Sequence, residues 1–194
     1  MKKVILLFIG LITIYFLFQV IKKVNLNTKY QIGQALDEFN SVKVYYNGGV
    51  GNVEGRNLAQ DGYNLGMKYQ CVEFIKKYYY EYLNHKMPDT FGNAIDYFDI
   101  NLKDGELNLK RNLIQYSNPS HSNPKVNDII IFDKTFLNRY GHVAIISKVK
   151  KNKIEIIQQN LGPFESSREI YYLEFKNNLW YINNKRVLGW LSKK

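Results

Sequence analysis

The single cysteine of the 194-residue chain, Cys71, is its first chemical signal. A thiol becomes nucleophilic where a helix N-terminus or a nearby imidazole favours its thiolate. Cys71 opens such a segment: Cys71, Phe74, Ile75, Tyr78, Tyr79 and Tyr82 follow the i, i+3, i+4, i+7, i+8 spacing of a helix with one buried face over Tyr69 to Leu83. Free N–H groups at that end could also hold a developing oxyanion. The competing reading is a small buried hydrophobe, the commonest fate of a free cysteine. Position alone leaves both open.

A general base for Cys71 has three candidates. His142 opens the apolar run Gly141-His142-Val143-Ala144-Ile145-Ile146, where a strand end can face a cleft. His85 follows the end of the cysteine helix, roughly 20 Å along its axis from Cys71 at 1.5 Å per residue, and points away. His121 sits in the Ser/Asn/Pro segment from Ser117 to Pro124, with no element to fix it. An imidazole acting as base needs a third group to set its tautomer. The next strand, Ile154-Glu155-Ile156-Ile157-Gln158-Gln159-Asn160, places Gln158 and Asn160 on one face by its period of two. Either side-chain carbonyl could accept the ring N–H; either could equally serve a strand edge.

The elements that must position these groups run helix first and sheet later. Val42 to Tyr46 reads as a strand ending at Asn47-Gly48-Gly49, preceded by a short helix around Gln34 to Phe39. Gly48 to Gly66 reads as a Gly- and Asn-rich loop poorly suited to regular structure. Residues 89–127 are irregular apart from a helix near Asn93 to Phe98. Strands then follow at 129–132, 142–149, 154–159, 170–175, 179–182 and 187–191, joined by hairpin connectors such as Lys150-Lys151-Asn152-Lys153. Segregated helix and antiparallel strands predict an α+β fold.

The N-terminus reads Met-Lys-Lys, an almost wholly apolar run from Val4 to Ile21, then Lys22-Lys23. That run reaches the ~17–25 residues a bilayer-crossing helix needs. It lacks the polar stripe of a surface helix, and no Ala-x-Ala-like cleavage site follows. The expected organisation is a signal anchor over 1–24, a connector over 25–40 and a catalytic domain over 41–194, anchored with that domain outside the cytoplasm. The formal charge of +10 does not indicate nucleic acid: Lys2, Lys3, Lys22, Lys23, Lys193 and Lys194 supply more than half of it, and no element interleaves aromatics with clustered cations. A lone cysteine permits no intrachain disulfide. The few histidines and this cysteine form no metal-ligand cluster, so neither metal nor cofactor is expected.

Four motifs now stand in one order: Tyr69-Gln70-Cys71-Val72-Glu73-Phe74, Asn127-Asp128 before an apolar strand, Gly141-His142-Val143-Ala144-Ile145-Ile146 and Gln158-Gln159-Asn160. Over about residues 30–194 the set resembles the CHAP family of cysteine- and histidine-dependent amidohydrolases/peptidases, and within it the amidase domains of the glutathionylspermidine type. The resemblance implies a papain-like fold, its nucleophile helix packed on an antiparallel sheet. It implies Cys71 as nucleophile, His142 as base, Gln158 or Asn160 as its orienter, and Gln70 and Lys76 on the substrate and oxyanion side. Two departures stand out. Gln158 occupies the place where the family's third motif begins with a carboxylate, and Lys76-Lys77 stand where the amidase relatives commonly carry arginines, which alone offer a bidentate fork. The implied activity is hydrolysis of amide bonds by a monomer, in peptidoglycan if the domain is exported. The alternatives are a glutathionylspermidine-type conjugate as substrate, or an impaired module that only binds the cell wall.

Overall fold

A computed structural model describes residues 2–194. Helix α1 (Lys2–Ile21) is followed by strands β1 (Ala35–Phe39), β2 (Val42–Tyr45), β3 (Arg56–Leu58) and β4 (Asn64–Met67). Helix α2 (Cys71–Glu81) and a 3-10 turn (Ala94–Tyr97) precede β5 (Glu106–Asn108), β6 (Leu113–Ser117), β7 (Ile129–Phe132), β8 (His142–Lys150), β9 (Lys153–Ile157), β10 (Arg168–Lys176), β11 (Leu179–Ile182) and β12 (Val187–Ser192). Eight strands form one antiparallel sheet in the order β11-β10-β9-β8-β7-β12-β6-β5, and β1-β2 and β3-β4 are separate pairs. The architecture is mixed helix and sheet.

The central strands are apolar on both faces, which is why β7 reads as an unbroken run, Ile129-Ile130-Ile131-Phe132, and not as an alternation. Ile129, Ile131, Val143 and Ile145 meet Phe74, Ile75, Tyr78 and Tyr79 of α2 on one face. Ile130, Ala144, Ile146 and Ile156 pack with Trp190, Leu173 and Ile182 on the other. That second face is covered because the sheet curls: Ser120, just after β6, exchanges backbone hydrogen bonds of 3.0 and 2.7 Å with Trp180 of β11. Fully burying an Ile or Phe side chain contributes about 1.5–3 kcal/mol, so the α2 interface is a main support of the fold.

The Asn127-Asp128 motif ties α2 to this sheet. Asn127, in the left-handed region at φ 78°, accepts the Tyr78 hydroxyl at its side chain (2.7 Å) and the Tyr79 hydroxyl at its backbone carbonyl (2.8 Å). Buried Asp128 accepts the Lys125 amide at 2.7 Å.

Three expectations are corrected. Residues Ala35–Phe39 form a strand, not a helix, because β2 offers an open edge and the two pair antiparallel; the folded unit therefore reaches back into the stretch expected as connector. The Gly/Asn-rich segment contains the β3-β4 hairpin, in which Gly66 (φ 125°) lies so close to α2 that a Cβ there would stand 3.3 Å from the Glu73 Cα. The irregular stretch 89–127 supplies β5 and β6 at the sheet edge. The helix near Asn93 to Phe98 is present as the 3-10 turn, with an Asn93/Asp96 capping box.

Candidate active site

Extended Gln70 caps α2 and Cys71 is its first residue. Neither end of the sequence motif is accidental. Gly66 lets β4 approach the first turn of the helix, and Tyr69 turns the chain into it at φ 65°. The Cys71 thiol lies against the start of β8: the backbone N–H groups of Val143, Val72 and Cys71 itself all act on it. These amides favour thiolate, yet burial outweighs them and pushes the thiol up to about 11. The helix N-terminus opposes this rise without reversing it.

His142, the neighbour of Val143, is buried at the first position of β8. Gly141 makes the entry possible: at φ 71°, a Cβ there would stand 2.8 Å from the Phe132 carbonyl oxygen. His142 Nε2 lies 3.1 Å from Gln158 Oε1. The Gln158 amide orientation follows from its other side, where Nε2 donates to the Ser166 carbonyl (3.5 Å) and the Glu169 carboxylate (3.4 Å). With its oxygen facing the ring, Nε2 of His142 carries the proton and Nδ1 is left with a free lone pair. Burial holds the imidazole down to about 4; Gln158 opposes that and the charge of Arg186 adds to it. Burial thus disfavours the charged form of both the thiol and the imidazole.

Asn160 does not share the face of Gln158. Strand β9 ends at Ile157 and Asn160 takes a left-handed φ of 63°, so the period of two no longer applies. Its amide donates to Gln70 Oε1 and to the Val50 carbonyl (3.0 Å), and its oxygen accepts Asn47 Nδ2 at 3.0 Å. Gln70 is in turn occupied, donating to the Asn52 carbonyl at 2.6 Å. Both residues lock the loop before α2. Lys76 is also corrected: it is not at an exposed substrate surface but 1% exposed. Its Nζ donates to the Thr90 carbonyl at 2.7 Å, and burial lowers its pKa to about 8. His85 bonds to the Arg111 carbonyl and His121 to that of Asn178, each away from Cys71.

Three groups escaped the sequence reading. Glu169 stands behind Gln158, supplied by β10 from across the hairpin. Gln159 accepts the Tyr45 amide (2.6 Å) and donates to the Gln70 carbonyl (3.0 Å) and to Glu73 Oε2 (2.9 Å), while Glu73 Oε1 accepts Asn57 Nδ2 at 2.7 Å. Tyr97 is fully buried near the thiol, its hydroxyl without a partner. Only Gln159 left a trace in the sequence, as an amide on the opposite strand face from Gln158.

The family model of the CHAP domain matches residues 61–160, which takes in α2, the start of β8 and the end of β9. The chain belongs to the CHAP domain family. Among curated relatives, trypanothione synthetase from Crithidia fasciculata is 28% identical over 149 residues, 71% of this chain and 23% of that protein. The bifunctional glutathionylspermidine synthetase/amidase of Escherichia coli strain K12 is 32% identical over 109 residues, 55% of this chain and 17% of that protein. The matches thus span a quarter or less of these relatives. The crystal structure of Ly7917 matches 39% of this chain at 25% identity and a TM-score of 0.28, too slight a likeness to argue from. Membership in the CHAP family, together with an amidase among the relatives, supports hydrolase activity on amide bonds.

Proposed function

We propose that this chain is a cysteine amidohydrolase of papain-like design in which Cys71 is the nucleophile, His142 the general base and Gln158 the group that orients it. The observation that carries the reading is the setting of Cys71. The thiol opens α2 against the Val143 amide of β8, one residue after His142, and the His142 ring is held by Gln158 so that Nδ1 is left as the unprotonated nitrogen.

With burial disfavouring the ionised form of each group, the proton moves as the bond forms. Cys71 Sγ attacks the amide carbon, its proton passes to His142, and the carbonyl electrons move onto an oxyanion held by backbone N–H groups beside the thiol. Collapse of this intermediate breaks the C–N bond, and His142 returns the proton to the leaving amine. A water then cleaves the thioester with the same base, restoring the thiol. Gln158 fixes the tautomer without adding charge, so the imidazolium formed in passing is stabilised less than a carboxylate would allow.

For the substrate we favour an amide bond of peptidoglycan. Helix α1 is long and apolar enough to cross a membrane, and on that reading residues 1–24 anchor a folded unit that includes β1 from Ala35 and faces the cell envelope. The second reading is a glutathionylspermidine-type conjugate, favoured by the amidase among the relatives. Purified sacculi and glutathionylspermidine, each incubated with the chain and its Cys71→Ala variant, distinguish the two. Soluble muropeptides released only by the parent chain are expected. Hydrolysis of the conjugate alone would overturn the peptidoglycan reading.

A further inference from the structure

Three loops converge where α1 ends. Lys22 donates from Nζ to the Leu137 carbonyl at 2.8 Å, and its own carbonyl accepts the Gly51 amide at 2.9 Å. Asn27, five residues on, donates to the Pro163 carbonyl at 2.8 Å. The chain leaving α1 is thus fastened to the β7-β8 loop (133–141), the Gly48–Gly51 turn and the β9-β10 loop. Arg139 also comes close enough to α1 to feel Tyr15, two turns before its end.

These loops expose what a soluble surface would bury. Phe136 is fully exposed at 102%, Phe164 at 71%, Leu137 at 59% and Tyr140 at 52%. Lys134 and Arg139 lie on the same loop, with Arg139 over the Tyr140 ring at 5.3 Å, and Lys22 and Lys23 stand beside it. Asp133 and Glu165 are the acidic residues on these two loops. Aromatic and aliphatic tips interleaved with cations, at the end of an apolar helix, match the chemistry of a bilayer interface with anionic headgroups.

We propose that the 133–141 loop seats on the phospholipid bilayer beside α1, with Phe136 and Leu137 at the boundary between headgroups and acyl chains. The proposal rests on the reading that α1 crosses the membrane. If it does, Lys22 and Lys23 mark the interface, because ammonium groups at a helix end reach for headgroups, and the bond from Lys22 to Leu137 holds the loop at that depth. The domain then lies against the membrane with the His142 end of β8 toward it. The β8-β9 hairpin points away, roughly 25–30 Å along a strand that rises about 3.3 Å per residue.

The test uses the full chain in a Cys71→Ala background, with single cysteines at Ile12→Cys, Phe136→Cys and Lys151→Cys carrying an environment-sensitive nitrobenzoxadiazole dye. The chains are reconstituted in phosphatidylethanolamine/phosphatidylglycerol vesicles with or without doxyl-labelled lipid. Phe136 is fully exposed, so its replacement leaves packing intact. The expected result is lipid quenching at positions 12 and 136, with a blue-shifted emission at 136, and at least several-fold weaker quenching at 151. Quenching at 12 with position 136 no more quenched than 151 overturns the seating while sparing the membrane-spanning reading. Equal, strong quenching at 136 and 151 also overturns it, because the domain then has no preferred face. Absence of quenching at 12 overturns both.

Discussion

Burial makes a second proton on the His142 ring costly. Burial lowers the His142 pKa to about 4, below the ordinary value near 6.5, so between those two values the unfolded chain binds the proton more readily than the folded one. The stability this neutral histidine contributes is present in full above pH 6.5 and is lost as pH falls toward 4. With His142 as the base, the acid limb of kcat/KM is expected near 4. Gln158→Glu should move that limb upward toward 6.5, because a carboxylate at hydrogen-bond distance favours imidazolium. Gln158→Ala should lower kcat about 10²-fold or more by freeing the ring. A pH–rate profile of the three proteins checks both, and an acid limb unmoved in Gln158→Glu would remove Gln158 from its proposed role. Glu169 belongs to the same chain of contacts. It was illegible in the sequence because the strand that brings it there pairs across a hairpin of unassigned register.

Single elements were legible where one physical signal dominated. The cysteine helix followed from periodicity and the central strands from their unbroken apolar runs, whereas Ala35–Phe39 was missed because a short polar segment becomes a strand only when β2 presents its edge. Asn160 was misplaced for a related reason: strand alternation was extended past Ile157, where the backbone turns left-handed. What holds these elements at the site is a buried polar stitch. Gln159 links β2, the start of α2 and the end of β9, and it satisfies the Glu73 carboxylate. Gln159→Ala should therefore destabilise the fold by about 2–4 kcal/mol, since it strands a buried charged acceptor. Chemical denaturation checks this, and a loss below about 0.5 kcal/mol would mean that Glu73 finds another partner. Asp128 gives the opposite pH signature to His142. Burial raises its carboxyl to about 7, so its contribution is present in full below the unfolded value of 3.8 and is lost as pH rises through 7. Asp128→Asn should flatten the fall in melting temperature between pH 5 and 8, measured by thermal scans.

At the scale of the whole molecule, one apolar helix and one folded unit divide the work. All the large apolar side chains of α1 from Val4 to Ile21 remain exposed, so the rest of the chain does not supply their solvent. The full chain should resist alkaline carbonate extraction from membranes, and deletion of residues 2–21 should release a folded domain into the soluble fraction. Retention of the shortened chain on membranes would place the anchor elsewhere. The same division separates what the sequence could disclose from what it could not: the apolar helix and the ordered Cys71 and His142 motifs are local signals, but the burial that acts on both side chains arises from packing across the sheet. The most direct test of the account is amide hydrolysis of sacculi and of glutathionylspermidine by the full chain, Cys71→Ala and His142→Ala. Turnover of one substrate by the parent chain is expected, reduced at least about 10³-fold in both variants. Hydrolysis that survives Cys71→Ala, or none by the parent chain on either substrate, would contradict it.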